Sequence, residues 1–219
     1  MTNYYHLPNP KKGFVHTNPK TVQQRAELIG KLLPDTRSIA EICCGNCSYQ
    51  SQIYRQTLHV HKYLGLDIDP EIVKMNKQQG VACIQGDALN GTTLKQFLEF
   101  DIIFFGPPLS LECDGQQLIS FGKVIPGYFD FVELLIGKLK YKGVLVCICP
   151  KTTTMGDVQS LYNAVQNQNK DFGLSLIHNS YSDITSRGDV TEPRLKYIEV
   201  WFSMLLGNTW TIQESMQGV

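Results

Sequence analysis

The 219-residue chain carries no excess charge of either sign, since 20 Lys and Arg balance 20 Asp and Glu. A broad basic field for grasping nucleic acid is therefore not built into it, which leaves room only for a local basic patch. No apolar run reaches the roughly 20 residues that a membrane-spanning helix needs. The N-terminus also lacks the charged-then-apolar order of a secretory signal, so no membrane partner is expected. Metal-ligand spacing is missing too. Cys43, Cys44 and Cys47 cluster, but no second short-spaced pair follows, and Cys83 and Cys113 stand alone. Seven cysteines, an odd number in a chain this long, read as reduced thiols and point to the cytoplasm. Internal repeats and low-complexity segments are absent. Apolar content of 42% and a charged fraction of 18% describe one globular domain with a sizeable core.

Two short segments stand out from this even background. The first is Glu-Ile-Cys-Cys-Gly-Asn-Cys at 41–47, where an apolar run ends near an acidic residue and enters a turn of small residues. The second, Leu-Gly-Leu-Asp-Ile-Asp-Pro at 64–70, begins about twenty residues later and carries Asp67 at the end of its apolar run. Together they have the form of a β-α-β unit closing over a nucleoside. The turn lets backbone N–H groups approach the ligand, and a carboxylate ending the second strand can accept ribose hydroxyls. Asp67 could instead cap the following helix, but Asp69 stands directly before Pro70 and suits that task better. The Gly-x-Gly-x-x-Gly order of nicotinamide dehydrogenases is absent at 43–47, which disfavours that chemistry.

Along the chain, strands and helices are expected to alternate. Val22, Ala26, Ile29 and Leu33 recur at helical spacing over 19–33, and Pro34 ends that helix. Strands are expected at 38–43, 63–67, 81–85, 101–105, 144–149, 175–178 and 196–202. Helices are expected at 48–57, 70–78, 94–100, within 128–139, and at 158–165. The apolar run at 101–105 has the composition of a strand buried on both faces. A long loop is expected after it. Cys147 and Cys149 alternate as strand residues facing one side. The pattern gives an α/β three-layer sandwich with a mostly parallel sheet.

The segment at 41–47 resembles the first motif of the class I S-adenosylmethionine-dependent methyltransferases, acidic-x-Gly-x-Gly-x-Gly. Only the middle glycine, Gly45, is kept, and Cys43 and Cys47 stand in for the others; a cysteine at positive φ would be strained. The resemblance implies a Rossmann-like sheet of seven strands whose last strand runs antiparallel. Gly86, Asp87 and Ala88 resemble the family's third acidic position, where an Asp reads the adenine amino group, although Asp87 could be a plain turn residue. Phe105, Gly106, Pro107, Pro108 and Leu109 resemble its fourth motif, which in amine-methylating members reads Asn/Asp/Ser-Pro-Pro-aromatic. Both prolines are present, but Gly106 and Leu109 cannot supply the polar or aromatic side chain. A looser likeness links 13–19 to a Thr-Pro segment that packs on the cofactor's methionine in amino-methyltransferases.

The resemblance implies S-adenosyl-L-methionine as cofactor, held by Glu41, Cys43, Gly45, Asn46, Asp67, Ile68, Asp87, Ala88 and Gly106. It places methyl transfer at Gly106, Pro107 and Pro108, to a nitrogen or oxygen acceptor. For a hydroxyl or carboxylate acceptor, the loop at 109–127 and the neighbouring Tyr128 are the expected contributors, with Glu112, Asp114 and Lys123, and Arg187 and Arg194 could meet an anionic group. Zero net charge and the missing side chains favour a small molecule or peptide over a nucleic acid. They leave open a nucleic-acid amino-methyltransferase, an enzyme working with a partner subunit or as a homodimer, and a non-catalytic cofactor-binding scaffold. The domain is expected over 14–206, between an N-terminal extension, 1–13, and a C-terminal tail, 207–219.

Overall fold

A computed structural model describes residues 19–107, 111–113, 116–118, 121–150, 152–182, 194–204 and 211–215. In chain order the helices are α1 (Pro19–Leu32), α2 (Ser48–Leu58), α3 (Pro70–Gln78), α4 (Gly91–Leu94), α5 (Phe121–Val132) and α6 (Met155–Gln168). The strands are β1 (Ser38–Ile42), β2 (Lys62–Asp67), β3 (Cys83–Gln85), β4 (Ile102–Phe105), β5 (Leu111–Cys113), β6 (Gln116–Leu118), β7 (Val144–Pro150), β8 (Gly173–Ser182), β9 (Arg194–Ser203) and β10 (Thr211–Ser215).

Eight strands form the main sheet in the order β10-β8-β9-β7-β4-β1-β2-β3. Only β9 runs against its neighbours; the other pairings are parallel. The seven expected strands and the antiparallel closing strand are all there. The sheet nevertheless has an eighth member. β10 lies within 207–219, the segment read as a tail, and extends the sheet by pairing with β8. The long loop expected after β4 holds an antiparallel hairpin, in which Leu111 pairs with Leu118 and Cys113 with Gln116. Each strand of that hairpin spans three residues, too few for a period-2 pattern to register in the sequence.

Two apolar layers enclose the sheet. One joins α1, α2 and α3 to Ile39, Phe104, Val146 and Trp201. The other joins α5 and α6 to Ala40, Ile42, Phe105 and Leu145. Local signals set the element ends. Asp69 caps α3 by accepting the Glu71 N–H at 2.9 Å, with Pro70 in the first helical position. Gly80, at φ +77°, ends it. Asp101 Oδ2 accepts the N–H groups of Arg37 and Ser38 and the Ser38 hydroxyl, each at 2.8 Å, fastening the start of β1 to β4. The helix expected within 128–139 starts earlier, at Phe121, and passes through Pro126 and Gly127. It continues as a wider π-turn over Glu133–Lys138.

Candidate active site

Strand order reverses between β1 and β4, so their C-terminal ends open the crevice where ligands bind in sheets of this kind. The turn after β1 is fastened amide by amide. The N–H of Cys44 donates to the Leu66 carbonyl at 2.9 Å, and that of Gly45 to Asp67 Oδ2 at 2.9 Å. The other oxygen of Asp67 accepts the Asp69 N–H at 3.0 Å. Both carboxylate oxygens are thus oriented by the backbone while each keeps a lone pair for a ligand. Asp69 caps its helix, as its place before Pro70 indicated, and Asp67 is left to the turn after β1.

Cys43 adopts φ +59° and Gly45 φ +53°. The strained conformation for which the first motif reserves a glycine is therefore present, with a cysteine in it. Cys47, at φ −104°, needs no glycine. The Cys43 thiol is pushed up to about 12 by burial and by the nearby charges of Asp67 and Asp87. Asp67 pairs with Gln85 across β2 and β3, and the Gly86 N–H donates to the Asp67 carbonyl at 3.0 Å, which sets Asp87 at the neighbouring strand end. Asp87 Oδ1 accepts the Leu89 N–H at 2.8 Å, the turn role open to it in the sequence, and the residue is exposed. Ile68 and Leu89, 69% and 43% exposed, stand beside the two aspartates. Leu89 was not singled out from the sequence; it follows Asp87 by two residues, whereas Ile68 follows Asp67 directly.

Gly106 joins this edge through its N–H, which donates to the Ile42 carbonyl at 3.2 Å. A Cβ there would meet Ile148 Cδ1 at 3.3 Å, so the isoleucine tip would have to give by a few tenths of an ångström for a side chain to stand at this position. Pro107 is half-buried at the strand end, while Pro108, Leu109 and the Arg187 region lie outside the described residues. Most of 13–19 lies outside them too, and only Pro19 is seen, opening α1. Tyr128 does not belong to an open loop. It is buried in α5, its ring packs edge-on against Phe105 at 5.3 Å, and its hydroxyl donates to the Ile148 carbonyl.

Glu41 goes elsewhere. Its side chain is buried on the α1 side of the sheet, among Arg25, Tyr63 and Glu199. Its Oε1 has no hydrogen-bond partner among the described residues; Tyr63 is near enough to favour the charged form but not in bonding geometry. Asn46 is buried, with Oδ1 accepting the Ser48 N–H and hydroxyl at 3.2 and 2.8 Å, while its Nδ2 has no partner among the described residues. A buried donor left unpaired beside a ligand turn is what a ligand carboxylate would satisfy.

Behind the turn, three thiols close on the bare face of Gly65. A Cβ there would lie 2.8 Å from Cys44 Sγ, 3.1 Å from Cys47 Sγ and 3.3 Å from Cys83 Sγ. Gly65→Ala is therefore expected to destabilise the fold by about 1–3 kcal/mol through overpacking. Urea unfolding of the variant measures it, and an unchanged midpoint would show that the thiols can retreat.

No family model and no curated protein sequence matches the chain. Solved structures do. Precorrin-6y C5,15-methyltransferase from Geobacter metallireducens superposes with a TM-score of 0.55 at 13% identity, over 90% of this chain and 93% of that one. The fold is that of the class I methyltransferases. A candidate RNA methyltransferase from Pyrococcus horikoshii gives 0.55 at 14% identity, over 89% and 90% of the two chains. The plantazolicin methyltransferase BpumL, solved with S-adenosylhomocysteine, gives 0.54 at 13%, over 83% and 81%.

Proposed function

We propose that this chain is an S-adenosylmethionine-dependent methyltransferase acting on a small molecule or peptide, in the reducing environment of the cytoplasm. The observation that carries the reading is the Asp67 carboxylate, locked by the Gly45 and Asp69 amides at the end of β2, with the Gly86 N–H of the neighbouring strand end on the Asp67 carbonyl. The residues present fit the cofactor. Asp67 would accept the ribose hydroxyls, Ile68 and Leu89 would cover the purine, and Asp87 and the Ala88 backbone would read its edge. Asn46 Nδ2 would donate to the amino-acid carboxylate. Bound there, the cofactor supplies an electrophilic methyl group on a sulfonium. The chain's own task is positioning: the backbone at Gly106 and Pro107 would hold the acceptor in line, and proximity would supply most of the acceleration.

Acceptor chemistry rests on Gly106. As a glycine, with the Ile148 tip close beside it, it offers no side chain to an exocyclic base amine at this point. The neutral net charge agrees with a small or peptidic acceptor. Labelled methyl transfer to fractionated metabolite, peptide, RNA and DNA pools tests this. Label in the RNA or DNA pool would reverse the preference, and transfer to none, despite cofactor binding, would favour a scaffold or a need for a partner subunit.

Cofactor binding is tested first. S-adenosylhomocysteine at about 100 times its dissociation constant should stabilise the native state by about 2.7 kcal/mol, whereas NAD should not. Asp67→Ala removes bonds to a charged acceptor and should weaken that binding about tenfold to a hundredfold. Asp69→Ala should cost only stability, about 0.5–2 kcal/mol, as a lost helix cap. Calorimetric titration of both variants decides between the aspartates; loss of binding in Asp69→Ala alone would show the roles reversed.

A further inference from the structure

We propose that Asn76 is the positioning residue that holds the cofactor turn in shape, doing from α3 what glycines would otherwise do within the turn itself. This rests on the cofactor reading above. Asn76 is fully buried. Its Nδ2 donates to the Gly45 carbonyl at 2.7 Å, and its Oδ1 accepts the Cys47 N–H at 3.1 Å. Nδ2 also lies 3.8 Å from both Cys44 Sγ and Cys83 Sγ. One side-chain amide thus spans the turn on both sides of Asn46, meeting a carbonyl before it and an amide after it. Its own carbonyl is engaged as well, accepting the Gln79 and Val81 N–H groups at 3.0 Å each, so the backbone that carries the amide is fixed.

The turn needs such a hold. Cys43 sits at φ +59°, a conformation that disfavours any residue with a Cβ and persists only where surrounding contacts over-determine it. Leu66 and Asp67 anchor the first half of the turn from β2. Asn76 alone among the described side chains anchors its second half from α3, through the Cys47 N–H. With that anchor removed, Cys43 is free to relax towards negative φ, which would swing the Gly45 and Asn46 amides out of ligand-binding geometry.

The experiment is calorimetric titration of the full chain with S-adenosylhomocysteine, run beside thermal unfolding without ligand, on the unsubstituted protein, Asn76→Ala, Cys43→Gly and the double variant. Asn76→Ser replaces Asn76→Ala if the latter does not fold. The dissociation constant should rise about tenfold in the Asn76 variant, matching the loss of one to two ordinary hydrogen bonds. Cys43→Gly, added to it, should restore affinity to within a few-fold of the unsubstituted chain, because a glycine holds the positive φ unaided. A merely structural asparagine would lower the melting temperature while leaving the affinity of the folded protein unchanged; that result, or a double variant that binds no better than Asn76→Ala, overturns the proposal. Binding that fails in the unsubstituted protein overturns the cofactor reading itself, and with it any turn for Asn76 to position.

Discussion

Replacing Arg25 with leucine is expected to cost about 3–5 kcal/mol of stability, the price of leaving a buried charge without its partner. Arg25, 1% exposed on α1, reaches into the sheet. Its Nε and Nη2 approach Glu199 Oε1 at 2.8 and 2.6 Å, Nη1 donates to the Tyr54 hydroxyl at 3.0 Å, and Nη2 to the Tyr197 hydroxyl at 2.9 Å. The guanidinium also lies 4.7 Å from the centre of the Phe104 ring. Across the carboxylate, Trp201 Nε1 donates to Glu199 Oε2 at 3.2 Å and His178 Nδ1 lies 3.3 Å from it. Burial alone would raise the Glu199 carboxyl, but Arg25 and His178 outweigh it and bring it down to about 2. The cluster therefore ties α1 to β8 and β9 through one fully ionised carboxylate. Lysine at position 25 should not rescue it, since an ammonium cannot span a carboxylate and two phenols as the planar fork does. Arg25→Leu combined with Glu199→Leu should recover part of the loss, because an apolar pair leaves no orphaned charge. Urea unfolding provides the numbers; a single-variant loss below about 1 kcal/mol would show that water reaches the cluster.

How much of this could be read in the sequence depends on how local each signal is. Helix α3 was legible residue for residue, because Asp69, Pro70 and Gly80 each act within one turn of chain. The positions of Asp67 and Asp87 at the ends of β2 and β3 were legible because the ends of parallel strands fall where apolar runs stop. Asn76 was not: a polar residue inside a helical stretch reads as solvent-facing, and only the return of the 43–47 turn against α3 buries it. Glu41 was misplaced for an instructive reason. In β1, Ile39 faces the α1 layer and Ala40 and Ile42 face the opposite core, so Glu41 follows Ile39 towards Arg25. Strict alternation would send Cys43 to the same side as Glu41, but its positive φ turns it to pack on the other core. The break in alternation that separates the two residues comes from backbone strain, which apolar periodicity does not encode.

Glu41 itself should make the protein less stable as pH rises from about 4.5 to about 7. Burial pushes its carboxyl up to about 7, with Arg25 opposing and Glu199 reinforcing the shift. The folded state consequently keeps a proton over a range in which the unfolded chain, at the ordinary 4.5, has already released it. Stability from this group is complete below 4.5 and is lost as pH rises through the folded value, because the native state binds more protons than the unfolded one in that window. At about 1.4 kcal/mol per unit, the full loss is on the order of 3 kcal/mol. Glu199 behaves in the opposite sense and outside this window. Its depressed carboxyl contributes stability that is present above 4.5 and lost as pH falls towards 2. Glu41→Gln keeps the shape of the side chain and removes the titration. Urea unfolding at several pH values between 4.5 and 7 should show the unsubstituted protein losing stability relative to the variant by on the order of 3 kcal/mol across the range. Parallel profiles for the two proteins would mean that Glu41 titrates normally, and that a water or the Tyr63 hydroxyl satisfies its Oε1 in solution.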